Sequence, residues 1–229
     1  IERQAKERGE APQAFVDAMS APFRKAWPEL SVEASQFIRT TDPAHKAFVQ
    51  DLWAKIEKNG DLYEGSYEDW YCVGCESFKT EKELLPGNVC PLHQKPVERL
   101  KEETYFFRLS KWEKPLLELY AKRPDFIAPT TRRNEVVSFV EGGLRDLSVS
   151  RTSFSWGIPV PSNPKHVMYV WFDALTNYRS ALGTGDLARF WPPGGQVVHV
   201  VGKDILRFHA VYWPAFLLSA GYREDELPN

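Results

Sequence analysis

Four side chains in two short pairs carry the plainest chemistry in the sequence. Cys72 and Cys75 stand with two residues between them, and after residues 76–89 Cys90 and His93 repeat that gap. Such a gap lets both donors of a turn face one ion, Pro91 can stiffen the second turn, and zinc–sulfur bonds of about 2.3 Å close a tetrahedral site. Four protein ligands leave no open coordination position, so the expectation is one structural Zn2+ that holds its module together. Three unrelated cysteines beside a surface histidine would not explain two paired turns. A redox pair is disfavoured because the second turn is Cys/His and no thioredoxin-like βαβ pattern surrounds the cysteines.

Two further groups offer weaker chemistry. Gly202-Lys203-Asp204 follows the apolar run Val197–Val201 and precedes a helical pattern. A helix start there would present backbone N–H groups to an anion, with glycine allowing close approach; a tight turn with Asp204 as its cap explains the same residues. Ile205, Phe208, His209, Tyr212, Trp213 and Phe216 fall at one helical stripe. By itself such a stripe reads as core, and its histidine as a satisfied core histidine.

The elements that must position these residues follow from composition and pattern. The chain has 229 residues, 43% hydrophobic and 14% aromatic, enough for one sizeable core with a smaller satellite. Its 29 Lys and Arg against 31 Asp and Glu give no global positive field, so any RNA contact must be local. The apolar runs are too short to span a membrane. The opening Ile1–Lys6 reads as a charged helix without a signal region, and the chain is expected to be cut from a longer one. Three clustered cysteines suit a cytoplasmic metal site better than a disulfide framework.

Apolar spacing predicts a helix from Pro12 to Trp27, an extended segment from Ser31 to Thr41, and a helix capped by Asp42, started by Pro43 and stopped by Gly60. Residues 61–150 change character, with short aromatic strand-like runs around Leu62–Tyr63, Trp70–Tyr71 and Tyr105–Phe107, the cysteine cluster, and a helix from Ser110 to Lys122. This reads as an inserted module. From Arg151 onward strand and helix patterns alternate, predicting parallel α/β architecture: a strand Val167–Phe172, a helix Ala174–Leu182 opened by Asp173, a strand Val197–Val201 and a helix Ile205–Ala220. Ligands would then gather at the carboxyl ends of the strands.

Three stretches, Phe37-Ile38-Arg39-Thr40-Thr41-Asp42-Pro43-Ala44-His45, Tyr169-Val170-Trp171-Phe172-Asp173-Ala174-Leu175 and Gly202-Lys203-Asp204-Ile205-Leu206-Arg207-Phe208-His209, are found with Glu103-Thr104-Tyr105-Phe106-Phe107-Arg108-Leu109-Ser110 and the zinc knuckle. Taken in their order along the chain, these stretches make it closely resemble methionyl-tRNA synthetases, class I enzymes. The resemblance implies a partial Rossmann-like, parallel-sheet catalytic domain (residues 1–60 and 151–229) interrupted by a zinc-knuckle connective insertion (residues 61–150). It implies ATP, with Mg2+, and methionine as substrates and tRNA(Met) as the acyl acceptor. It assigns Trp171, Ala174, Leu175, Tyr178, Ile205, Phe208, His209 and Trp213 to the methionine pocket, Gly202, Lys203 and Asp204 to the nucleotide, and Arg151 to the reaction centre. Leu175 departs from the proline of some members. Arg39, Asp42 and His45 read as caps and surface partners. The family's HIGH and KMSKS motifs do not occur in these residues and are expected to lie before Ile1 and after Asn229; without them the chain alone is expected not to activate methionine.

Two other functions remain to be separated from this one. A non-catalytic zinc ribbon that binds RNA or protein would not need the strand and helix units after Arg151. Another class I synthetase is opposed by the aromatic, histidine-bearing stripe and the short single-knuckle insertion.

Overall fold

Helix α3 (Pro43–Lys58) starts and stops where its sequence punctuation places it. Pro43 occupies the first turn, where its missing N–H costs nothing, and Gly60 takes a left-handed conformation at φ 75° that ends the helix. Asp42 does not cap it through its side chain; its carboxylate accepts the Arg39 N–H upstream at 3.1 Å. The buried face is His45, Val49, Leu52, Trp53 and Ile56. Before it lie α1 (Glu2–Glu7) and α2 (Pro12–Glu29), an amphipathic pair in which Phe15 is buried while Met19 and Phe23 are exposed. The computed structural model describes residues 1–34, 36–74 and 77–228.

The strand-like fragments after Gly60 are parts of a single long ladder. β1 (Leu62–Cys72) pairs antiparallel with β3 (Glu98–Phe107) from Leu62↔Phe107 to Tyr71↔Glu98, and on its other side with the short β2 (Ser77–Lys79). β4 (Leu147–Ser148) adds to β3, giving the order β2-β1-β3-β4. The expected helix from Ser110 is a 3-10 turn followed by α4 (Glu113–Lys122). Helix α5 (Thr130–Glu141) has no counterpart in the sequence reading; it fully buries only Val136 and Val140, with Val137 and Phe139 half-buried, and its apolar residues crowd into one half of the helix without a clear stripe.

Two expectations for the last third are corrected. The strand Val167–Phe172 is only β6 (Val167–Met168), paired antiparallel with β5 (Ser150–Arg151), and helix α6 (Val170–Ser180) begins two residues later. A six-residue apolar run satisfies a buried strand and a buried helix equally. Here Phe172, Leu175, Thr176 and Arg179 are buried at helical spacing, so Trp171 and Asp173 stand inside the helix and not at a strand end. Parallel pairing is likewise not what forms: every ladder among the described residues is antiparallel, and Val197–Val201 runs without a ladder partner there. Helix α7 (Gly183–Phe190) follows α6. The expected helix Ile205–Ala220 is a 3-10 turn (Lys203–Ile205), a π-helical turn (Phe208–Tyr212) and α8 (Trp213–Ser219). Among the described residues no helix is long and apolar enough to cross a membrane.

One core joins these elements. Trp53 of α3 meets Tyr105 of β3 and Phe172 of α6 edge-on at 5.5 and 5.3 Å, and Phe216 of α8 packs on Phe107 and Phe172, both at 4.9 Å. Asp61, 1% exposed, is held by Lys111 at 2.6 Å and Ser219 at 2.7 Å, tying the foot of β1 to α8. His45 makes the corresponding polar tie between α3 and α6. It is fully buried, with Nε2 at 2.6 Å from the Asp173 carboxylate and Nδ1 at 2.6 Å from Ser180 Oγ. It is therefore not a surface partner. A carboxylate only accepts, so Nε2 carries a proton toward Asp173.

Removing this imidazole leaves Asp173 and Ser180 short of a partner behind α6. His45→Phe, which retains most of the volume, is expected to lower the unfolding free energy measured by urea titration by about 2–4 kcal/mol. A loss below about 1 kcal/mol would show the tie to be incidental.

Candidate functional site

The predicted pocket residues come from two elements that face each other. Helix α6 presents Trp171, Ala174 and Tyr178 at positions i, i+3 and i+7, all half-buried, while the π-helical turn presents Phe208 and His209. Trp171 and Phe208 stack with ring centroids 3.9 Å apart and planes 8° from parallel; His209 stands edge-on to Trp171 at 6.3 Å. Tyr178 Oη lies 2.8 Å from His209 Nε2, and His209 Nδ1 lies 2.9 Å from the Ile205 carbonyl oxygen. Since a carbonyl only accepts, Nδ1 carries the hydrogen of the neutral ring; Nε2 is then an acceptor, and the Tyr178 hydroxyl donates to it. Burial pushes the His209 pKa down against the opposing Ile205 bond, and burial pushes the Tyr178 phenol up, so both groups stay neutral. Both polar hydrogens are thus engaged within the protein.

Not every predicted pocket residue lies on this face. Leu175 and Trp213 are 1% and 0% exposed and belong to the core; Ile205 contributes its carbonyl. A recess of about 300 Å3 opens beside Tyr178, bordered by Leu182, Phe190, Trp191 and Val197–Val201; of the predicted pocket residues only Tyr178 lines it. His199 faces this recess and was missed from sequence, where it reads as one polar residue in a valine run. It lies over Tyr178 at 4.1 Å and edge-on to His209 at 5.8 Å. Burial, helped by the neighbouring His209, lowers its pKa to about 4.

Arg151 is not on the surface. It is buried on β5, with Nη1 donating to Ser148 Oγ and the Ser150 carbonyl oxygen, both at 2.7 Å, and its guanidinium over the Tyr169 ring at the entrance to α6. The buried Glu102 fixes the next two residues by accepting the N–H groups of Thr152 and Ser153 at 2.5 and 2.7 Å. Gly202, Lys203 and Asp204 are exposed on the 3-10 turn. Gly202 has φ −69°, and a Cβ there would meet nothing within 4 Å, so the chain's own packing does not require glycine at that place.

At the far end of β1, Cys72, Cys90 and His93 bring two thiols and a ring nitrogen within 4.8 Å of one another. His93 Nδ1 is 3.8 Å from each sulfur. Bonds of about 2.3 Å to sulfur and about 2.0 Å to nitrogen give a tetrahedral edge of about 3.5 Å, so this group fits a zinc ion. Burial raises the Cys90 thiol pKa, but hydrogen bonds from the His93 backbone and ring, Cys72 and the Leu92 backbone outweigh it and bring the thiol to about 6. Gly74 makes room for the His93 ring, whose atoms would lie 2.6–2.8 Å from a Cβ there. Cys75, the fourth expected ligand, lies outside the described residues.

The comparisons now place the chain. A family model described as tRNA synthetases class I (M) matches residues 1–99 and 85–227, and the chain belongs to that family. Within it, the resemblance is to proteins that act with methionine. Methionine–tRNA ligase of Nostoc sp. is 50% identical over 230 residues, covering 96% of this chain and 43% of that protein; the Rickettsia conorii ligase is 53% identical over 224 residues with the same coverage. The solved Mycobacterium tuberculosis methionyl-tRNA synthetase bound by methionyl-adenylate is 47% identical, with a TM-score of 0.89 over 99% of this chain and 45% of that one. The chain spans less than half the length of the curated relatives it matches.

The depressed pKa of His199 sets a pH dependence. The folded ring binds its proton more weakly than the unfolded one, so its contribution is fully present above the ordinary value of 6.5 and is lost as pH falls toward about 4. The direction of the His209 shift adds to this. Urea midpoints are expected to fall across that window, and His199→Gln to flatten the slope; an unchanged slope in the variant would contradict the assignment.

Proposed function

We propose that this chain is the methionine-binding and zinc-bearing part of a methionine–tRNA ligase. In that enzyme methionine and ATP, with Mg2+, form methionyl-adenylate, and the acyl group passes to tRNA(Met). The observation that carries the reading is the neutral aromatic face made by Trp171, Tyr178, Phe208 and His209 on two facing elements. A thioether is polarizable and a poor hydrogen-bond partner, and it suits aromatic walls whose polar hydrogens are already engaged. Ala174, the small residue between Trp171 and Tyr178, and Ile205, whose carbonyl holds His209, are assigned to the same site, with Leu175 and Trp213 behind it in the core.

Gly202, Lys203 and Asp204 are proposed to meet the nucleotide. Their exposure and the free space at Gly202 support this, since the glycine serves no packing need of the chain. Arg151 is proposed to act at the reaction centre from the entrance of α6. Residues 1–60 and 151–229 are assigned to a Rossmann-like catalytic domain and residues 61–150 to the connective insertion. There Cys72, Cys75, Cys90 and His93 would hold one structural Zn2+, which would fasten the turns beyond β1 and β3. A cytoplasmic location is proposed with it, since a zinc-binding cysteine cluster suits a reducing compartment.

Two experiments test the reading. The purified protein is expected to carry one zinc per chain by elemental analysis, and His93→Ala to lose most of it; a metal-free, folded preparation made without chelator would contradict the metal site. In the full ligase, Trp171→Ala and His209→Ala are expected to weaken methionine activation about 3- to 10-fold each, since a sulfur–aromatic contact contributes about 0.3–1.5 kcal/mol. Unchanged methionine affinity and discrimination against leucine in both variants would show that the aromatic face is only core.

A further inference from the structure

Pro214 creates a vacancy in the hydrogen bonding of the helix that carries Phe208 and His209. In a regular α-helix the Ala210 carbonyl would receive the N–H of residue 214, which proline lacks. The chain answers with a wide turn: the Trp213 N–H reaches five residues back to the Phe208 carbonyl. The additional residue in this turn changes the phase of Phe208 and His209 relative to Trp213 and Phe216. The first pair can then meet α6 while the second stays in the core.

The Ala210 carbonyl, buried with its residue 6% exposed, is satisfied from outside the helix. Tyr120 of α4, itself 1% exposed, donates its hydroxyl hydrogen to that oxygen at 2.6 Å. The α4–α5 pair supports the same region: Arg133 donates to the Tyr120 carbonyl oxygen at 3.0 Å, and Arg207, next to Phe208, lies over the Phe139 ring at 4.1 Å.

We propose that Tyr120 is a positioning residue for methionine, holding the wide turn through the Ala210 carbonyl so that Phe208 and His209 face Trp171 and Tyr178. It acts from the stretch assigned to the insertion and touches no substrate. The inference rests on the reading of the Trp171–His209 face as the methionine site.

The test uses the full ligase and steady-state methionine activation. Tyr120→Phe removes one oxygen and is expected to raise the KM for methionine about fivefold, the weight of one hydrogen bond to a buried carbonyl. The kcat and the KM for ATP should stay within about twofold, a split that general loss of stability would not produce. Pro214→Ala returns a backbone donor to the same carbonyl and lets the turn relax, so it too is expected to raise the methionine KM. The double variant should be no worse than the poorer single one, because both act through one turn. If Tyr120→Phe does not fold, Pro214→Ala carries the test alone. An unchanged methionine KM in the variant assayed, or additive effects of the two substitutions, overturns the proposal. If Trp171→Ala and His209→Ala weaken methionine use while Tyr120→Phe does not, only this inference falls. If all three leave it unchanged, the pocket reading itself fails.

Discussion

Helix α6 is held between two histidines, and the geometry of the aromatic face depends on both. Behind it, His45 bridges Asp173 and Ser180; in front, His209 accepts the Tyr178 hydroxyl hydrogen. Asp173 and Ser180 lie on the side of the helix turned toward α3, while Trp171 and Tyr178 lie on the other. Rotation about the helix axis would break a buried polar contact on one side or the other, each costly to leave unmade. Two directional ties thereby fix an orientation that apolar packing alone, being non-directional, would leave looser.

In the proposed function the same economy of polar hydrogens would shape selectivity. His209 and Tyr178 would have no free hydrogen for the substrate sulfur, because both donate within the protein: Nδ1 to the Ile205 carbonyl, and the phenol to Nε2. In the proposed function, discrimination between a thioether and a branched aliphatic side chain then falls to the shape and polarizability of the rings. No single wall residue would dominate it, because each sulfur–aromatic contact is small.

How much of this was legible in the sequence depended on the range of each interaction. The Pro43 start and Gly60 stop of α3 are local signals, and the helix begins and ends at them. The Cys72, Cys90 and His93 spacing likewise foreshadowed three donors that do converge. The run Val167–Phe172 misled because six apolar residues in a row erase the period that separates strand from helix. His45 read as peripheral because its partners lie 128 and 135 residues away. His199, set among valines, gave no sign of the recess it faces. The wide turn did have a signal: Pro214 stands one residue after the stripe member Trp213, where it must interrupt helical hydrogen bonding.

The central claim is that the methionine side chain lies against the aromatic face that α6 and the π-helical turn form together. Crystals of the full ligase, grown with free L-selenomethionine and ordinary methionine in the chain, would locate the side-chain heteroatom by anomalous scattering. The account predicts one selenium peak in contact with the Trp171 and His209 rings. A peak instead in the recess beside Phe190 and Val198, or away from both elements, would contradict it.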